Sequence, residues 1–243
     1  MFSLFKKKDT VDFSFLGTDL HSHLIAGIDD GAKTLDESVL LIKQLIDLGY
    51  SKIVTTPHIH SEYYPNTPAI IKNGLKELRE RLSKEKLQIE IEAAAEYFID
   101  DHFKALIKSD EDLLSFSDKH VLMECSMLGE PPDLFHVIFN LKTKGYKPIL
   151  AHPERYLYYG NRFEVFEKIK NQGCMLQVNL LSLAGHYGPG QKKLGIKLLE
   201  AGLVDYLGTD LHRESHITKI ESVMHNRKVK KLILEKSFCN NRL

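Results

Sequence analysis

The sequence predicts an α/β fold of parallel βα units closed into a single barrel, and three observations predict it. Seven short β-rich runs alternate with helical stretches along the chain. Several helical stretches stop in the same way, at Gly49, Gly145 and Gly202, each followed by an apolar residue that begins the return. No Gly-rich phosphate turn follows the first run, which favours closure over an open doubly wound sheet.

The β-rich runs lie at 15–20, 52–56, 88–95, 120–124, 147–151, 175–179 and 204–208. Helices are expected at 35–48, 68–84, 132–144, 163–171, 191–200 and 218–236. The first is the clearest, because Thr34 and Glu37 form a T-x-x-E capping box and Gly49 supplies the stop. No shift in composition marks a domain boundary, so residues 15–243 read as one domain. Residues 1–14 read as an N-terminal extension whose Phe2, Leu4, Phe5 and Phe13 are candidates to dock on it.

Lys+Arg and Asp+Glu balance at 33 each, so no bulk charge recruits nucleic acid or an anionic membrane. No apolar run approaches the roughly 18 residues that membrane insertion needs. Three widely spaced cysteines without a CxxC argue against a disulfide framework and for a reducing cytoplasm. Neither Cys125 nor Cys174 has an Arg about six residues on, which rejects a cysteine-nucleophile phosphatase. Twelve histidines are the first compositional hint of metal or acid–base chemistry.

The histidines gather at the strand ends. The first run leads into Asp19-Leu20-His21-Ser22-His23, the second into Thr56-Pro57-His58, and the third into Glu96. The fourth ends in Glu124-Cys125, the fifth in His152-Pro153-Glu154-Arg155 and the seventh in Asp210-Leu211-His212, with Asp30 in the loop after the first. In a parallel barrel these ends converge on one face. Residues two apart on extended chain point the same way, so His21 and His23 reach one ion, and Asp210 and His212 repeat that spacing. Glu124 facing the site puts Cys125 toward the helices. A lone H-x-H or strand-end Glu is more often a surface, packing or capping feature, but nine such groups at successive strand ends read as a metal centre. Nine ligands exceed what one ion takes and suit two or three divalent ions bridged by a carboxylate such as Glu96, with Mn, Fe or Zn favoured over Ca or Mg. Three ions against the four carboxylates would leave about two positive charges, which with Arg155 suits a phosphate dianion. His60, His102, His120, His136 and His225 read as surface or packing residues, while His186 and His216 lie in loops within reach of the site.

These motifs resemble the PHP (polymerase and histidinol phosphatase) superfamily, and within it the bacterial tyrosine-protein phosphatases of capsule and exopolysaccharide biosynthesis. The resemblance runs in order from Gly17 to His212, and Gly27-Ile28-Asp29-Asp30-Gly31-Ala32 together with His152-Pro153-Glu154-Arg155 is its most specific part. It implies a distorted seven-stranded barrel with a trinuclear, manganese-type centre. One ion would take His21, His23, Glu96 and Asp210, a second Glu96, Glu124 and His152, and a third Asp30, His58 and His212. Arg155 would hold the phosphate while a metal-bridging hydroxide attacks, with Asp210 and His212 at the reacting centre. The implied substrate is the phosphorylated tail of a tyrosine kinase. The family usually has a second arginine after the final D-x-H; here Arg213 and His216 are the candidates to replace it. Tyr63, Tyr64, Tyr156, Tyr158 and Tyr159 are candidates for a wall against the substrate ring. A small-molecule phosphatase such as histidinol phosphatase is the alternative. An amidohydrolase commonly has a carboxylated Lys where this chain has Glu124, and a non-catalytic module would have broken ligands.

Overall fold

The computed structural model describes residues 11–243. Phe13 lies within them, fully buried and stacked on Tyr50 at 6.0 Å, so this part of the extension packs on the core; Phe2, Leu4 and Phe5 lie outside the described residues.

The chain runs β1 (Thr18–Asp19), α1 (Leu35–Asp47), β2 (Lys52–Thr55), β3 (His58–Ile59), α2 (Pro68–Lys84), β4 (Glu90–Ala93) and β5 (Glu96–Phe98). It continues through α3 (Asp101–Lys108), β6 (His120–Glu124), α4 (Leu134–Thr143), β7 (Lys147–Ala151), α5 (Glu164–Asn171) and β8 (Met175–Asn179). Last come α6 (Leu180–Ala184), α7 (Pro189–Glu200), β9 (Tyr206–Gly208), α8 (Ile217–His225) and α9 (Arg227–Leu234). Every strand pairing is parallel, in a sheet ordered β1-β2-β4 and a second ordered β3-β5-β6-β7-β8-β9.

Two of the seven expected runs, 52–56 and 88–95, are each followed by a further short strand that the sequence reading lacks, β3 and β5. Pro57 has no N–H to give a ladder, and the break after Thr55 lets Thr56 N–H turn to Ser22 O at 2.8 Å. The strand of the run 88–95 ends at Ala93, and after Ala94-Ala95 the Glu96 N–H bonds Pro57 O at 3.0 Å as β5 begins. These offsets carry His58 and Glu96 from one sheet to the other and into register with each other.

The first and last strands meet through side chains and loops. Asp19 accepts the N–H and hydroxyl of Thr209 at 3.0 and 2.9 Å, and Ser22 pairs with Leu211. From the C-terminus, Asn240 Nδ2 donates to Thr18 O and Leu207 O while its Oδ1 accepts from Leu207 N–H, spanning β1 and β9.

Helix α1 begins as expected: Thr34 Oγ1 accepts Glu37 N–H at 3.2 Å. It buries Val39, Leu41, Ile42 and Leu45, each worth roughly 1.5–3 kcal/mol of hydrophobic stabilisation. Gly49, Gly145 and Gly202 all have positive φ, as their role as helix stops requires. Three helical features were not foreseen: α3, started by Asp100 bonding Phe103 N–H, the short α6, and the break of the last helix at Asn226, whose side chain caps Val229 N–H. Among the described residues no helix is long and apolar enough to cross a membrane.

Alternation along β6 separates the two cores. Val121, Met123 and Cys125 join the large cluster under the helices, while Leu122 joins a smaller one with Leu20, Val54, Ile149 and Tyr206. Glu124 shares the face of Leu122, so it emerges at the strand end on the inner side, with Cys125 outward as expected.

Candidate active site

The C-terminal ends of the strands surround a cavity of about 460 Å³. Asp30, His58, Glu96, Glu124, His152, Arg155, Asp210, His212, Arg213 and His216 line it, while His21 and His23 lie fully buried close to Glu96 and Asp210. The nine candidate ligands together with Arg155, Arg213 and His216 therefore come together in one place. His186 and His60 also line it. The His60 ring packs on Phe98 at 4.1 Å, the packing role expected of it, while one face meets the cavity.

Two of these side chains are aimed by unusual backbone. His152 (φ +34°) and Asp210 (φ +53°), just beyond β7 and β9, occupy the left-handed region. Such residues cost about 1–3 kcal/mol and cluster at functional sites. Close packing helps too. A Cβ on Gly208 would come within 2.7 Å of His21 Cβ and 2.6 Å of Gln177 Nε2, so only glycine lets β9 approach them.

Hydrogen bonds dictate which histidine nitrogens face inward. Asp210 Oδ2 accepts Asn179 Nδ2 at 2.7 Å, which leaves Asn179 Oδ1 to accept Gln177 Nε2 at 2.8 Å. Gln177 Oε1 therefore accepts from His21 Nδ1 at 2.8 Å, and the His21 proton sits on Nδ1. Asp29 Oδ2 does the same for His23 Nδ1 at 2.8 Å, and the backbone carbonyl of Asp210 for His212 Nδ1 at 2.9 Å. Their three Nε2 atoms are left to face inward. Those of His21 and His23 lie 3.3 Å apart, with Glu96 Oε2 at 3.1 and 3.5 Å and Asp210 Oδ1 at 3.5 and 3.7 Å.

Four acceptors converging in a buried spot repel one another unless a cation lies among them. This donor set fits a divalent metal ion, with imidazoles held from behind by a carboxylate, an amide and a carbonyl. The same field acts on protons. Burial alone lowers the pKa of His21, but Glu96 and Asp210 overcome it and push it up to about 10. Burial raises Glu96, yet His21 and His58 hold it well below the usual carboxylate range.

Three groups have donor atoms close enough to share an ion: His21, His23 and Glu96; His58, Glu96 and Glu124; and His23, Asp30, His58 and His212. His58 belongs to two of them, its Nδ1 3.2 Å from Glu96 and its Nε2 3.5 Å from Asp30. His152 Nε2 stands 2.9 Å from Glu96 and 3.6 Å from Glu124.

Arg155 stands beside the cluster. Its guanidinium lies 4.3 Å from the centre of the Tyr187 ring and 3.6 Å from Asp210 Oδ2, and the Tyr187 hydroxyl donates to that same oxygen at 2.7 Å. Gln177, Asn179, Tyr187 and Asp29 escaped the sequence reading. Asp29 had a signal, its place in the Asp29-Asp30 pair, and Tyr187 a weaker one, its place in the loop after the sixth run.

Tyr156 and Tyr159 are fully buried and do not line the cavity; the Tyr156 hydroxyl accepts Cys125 N–H and braces the loop after β6. Tyr158 bonds Ser126 O, so the tyrosines at the cavity are Tyr63, Tyr64 and Tyr187.

Glu154 turns away from the cavity. Its Oε1 accepts Asn179 N–H at 2.9 Å. Burial pushes its pKa up to about 7 against the pull of Ser182 and Asn179. The folded chain thus holds this proton more tightly than the unfolded one, so the contribution to stability is present at low pH and is lost as pH rises through about 7. Thermal melts should show this: between about pH 5 and about pH 8 the melting temperature of Glu154→Gln falls less than that of the parent.

A family model for capsular polysaccharide synthesis, CpsB/CapC, matches residues 17–242. The chain belongs to this family. Its members include the tyrosine-protein phosphatase CpsB of Streptococcus agalactiae, 30% identical over 80% of this chain and 82% of that protein. The tyrosine-protein phosphatase YwqE of Bacillus subtilis is 29% identical over 80% of this chain and 76% of its own length. The fold matches a chain from the crystal structures of YwqE from B. subtilis and CpsB from Streptococcus pneumoniae, described as metal-dependent tyrosine phosphatases. That match has a TM-score of 0.76, 24% identity and coverage of 91% and 96% of the two chains. A histidinol phosphate phosphatase from Lactococcus lactis, solved with zinc, L-histidinol and phosphate, shares the fold more distantly. It has a TM-score of 0.56, 16% identity and coverage of 88% and 93%.

Proposed function

We propose that this CpsB/CapC family chain is a metal-dependent protein-tyrosine phosphatase, a phosphoric monoester hydrolase. The observation that carries the reading is the pair of inward-facing His21 and His23 Nε2 atoms set against Glu96 and Asp210, beside a cavity that also holds Arg155. The nine residues His21, His23, Asp30, His58, Glu96, Glu124, His152, Asp210 and His212 would hold two or three divalent ions, manganese by the family resemblance. When bound, such ions lower the pKa of water toward neutrality and offset the charge of phosphoryl oxygens.

The chain's own groups do the rest. Arg155 presents its planar fork to two phosphoryl oxygens. Asp210 divides its oxygens, Oδ1 toward the imidazoles and Oδ2 toward Asn179, Tyr187 and Arg155. His216 accepts His212 N–H on Nδ1 at 3.4 Å, which leaves Nε2–H as a donor. Burial, His212 and His186 push its pKa down to about 4, so near neutral pH it is an uncharged donor to a phosphoryl or leaving oxygen. Arg213 adds positive charge at the rim and with His216 stands in for a second arginine. Tyr63, Tyr64 and Met127 form an apolar side for the phenyl ring, with Tyr64 stacked on His58 at 5.3 Å.

The finer readings belong to the same proposal. The two sheets together make one distorted seven-stranded barrel, supported by the pairing order and the Ser22–Leu211 bridge. Residues 15–243 form its single domain, and the substrate is the phosphorylated tail of a tyrosine kinase in the cytoplasm.

The test is turnover at equal enzyme of a phosphotyrosine peptide and of histidinol phosphate, each with manganese and with chelator. Faster histidinol phosphate hydrolysis would sink the protein-phosphatase assignment in favour of the small-molecule one. Tyr187 gives a finer check. Tyr187→Leu loses the cation–π platform under Arg155 and should raise KM and the inhibition constant of inorganic phosphate roughly three- to thirtyfold. Tyr187→Phe keeps the ring and should recover most of that loss.

A further inference from the structure

One buried carboxylate lies in none of the three groups of candidate ligands. The Asp29 side chain is fully enclosed, yet it accepts hydrogen bonds from three places at once. Its Oδ2 takes the His23 Nδ1 proton at 2.8 Å and the His58 backbone N–H at 3.2 Å, and its Oδ1 takes Gly31 N–H at 3.0 Å. The last bond closes a turn over Asp30, which fixes the backbone that presents the Asp30 carboxylate.

The turn has little freedom of its own. Ala32 N–H bonds His23 O at 3.0 Å, and a Cβ on Gly31 would fall 2.1 Å from that oxygen, so the loop sits directly against the His23 backbone. Asn66 adds a second tie. Its Nδ2 donates to Ile28 O and to His58 O, each at 2.9 Å, and the residue is buried. Two side chains, Asp29 and Asn66, therefore join the loop that carries Asp30 to the backbone of His58 independently of each other.

We infer that Asp29, backed by Asn66, is the positioning residue for the ion held among His23, Asp30, His58 and His212. Three of those four ligands hang on Asp29, whereas the groups His21–His23–Glu96 and His58–Glu96–Glu124 each contain only one. The inference rests on the metal-centre reading and names the part of the centre that depends on this carboxylate. Its two acceptor oxygens matter as much as its charge. An amide there has one acceptor oxygen, and serving His23 and His58 with it turns the NH2 against Gly31 N–H.

Titration of the metal-stripped protein with manganese, read by the electron paramagnetic resonance of free Mn(II), tests it without any turnover. The parent should bind two or more equivalents. Asp29→Ala should weaken one of them roughly 10- to 100-fold, the usual scale for losing a group that orients a metal ligand, and weaken the rest much less. Asp29→Asn, which keeps one acceptor oxygen, should lie between the parent and Asp29→Ala. Asn66→Ala removes no imidazole or carboxylate and should also weaken a single equivalent, to a smaller extent, which keeps the test decisive if Asp29→Ala does not fold. Uniform weakening of every equivalent, or of none, across the variants that fold overturns the role of Asp29 while the metal centre stands. A parent that binds fewer than two ions overturns both.

Discussion

Glu96→Gln lowers phosphotyrosine turnover by about 10³-fold and reduces bound divalent metal, although the side chain keeps its size and burial. Glu96 is the hub of the cluster. One oxygen lies 3.1 Å from His21, 3.5 Å from His23 and 3.2 Å from His58, and the other 2.9 Å from His152. An amide there removes one negative charge from a fully buried position and turns one acceptor into an N–H donor pointed at the imidazoles. Metal content by plasma mass spectrometry, measured beside turnover, checks both halves. Normal metal content with normal turnover would remove Glu96 from the centre.

Arg155→Ala has the second-largest effect, a loss of about 10²- to 10³-fold in kcat/KM with metal content unchanged. Arg155 contacts the cluster through Asp210 Oδ2, at 3.6 Å, so under the proposed assignment its removal takes away a phosphate donor rather than a ligand. Arg155→Lys should recover only part of the loss, since an ammonium lacks the two-pronged planar fork. Kinetics on p-nitrophenyl phosphate with inorganic phosphate as inhibitor separate the two cases. Weakened phosphate inhibition in both variants is expected, and unchanged inhibition would place the phosphate elsewhere.

The centre was legible because its residues are chemically uncommon and spaced by local geometry. His21 and His23 obey the two-residue period of extended chain, whereas Asp210 and His212 share the spacing but not the backbone, since Asp210 has φ +53°. The residues that orient them were not legible. Gln177 lies in a strand interior and becomes the partner of His21, 156 positions away, only because Gly208 lets β9 approach them both. Asn179 and Tyr187 acquire their roles from Asp210 Oδ2, an oxygen whose direction depends on a left-handed φ that no local pattern announces. The strand breaks have the same character. Pro57 hinted at the first, but nothing in the apolar run 88–95 signals that the strand stops at Ala93 and a new one starts at Glu96. By contrast, Asp100 ahead of Phe103 was a readable helix start, and α3 was missed only because it is one short helix of eight residues.

The most direct test of the metal-centre account is hydrolysis of a phosphotyrosine peptide by protein stripped of metal with chelator, its metal content verified, and then resupplied with manganese. Turnover should disappear on stripping and return with the metal, in the parent but not in Glu96→Gln. Full turnover by verified metal-free protein would contradict it.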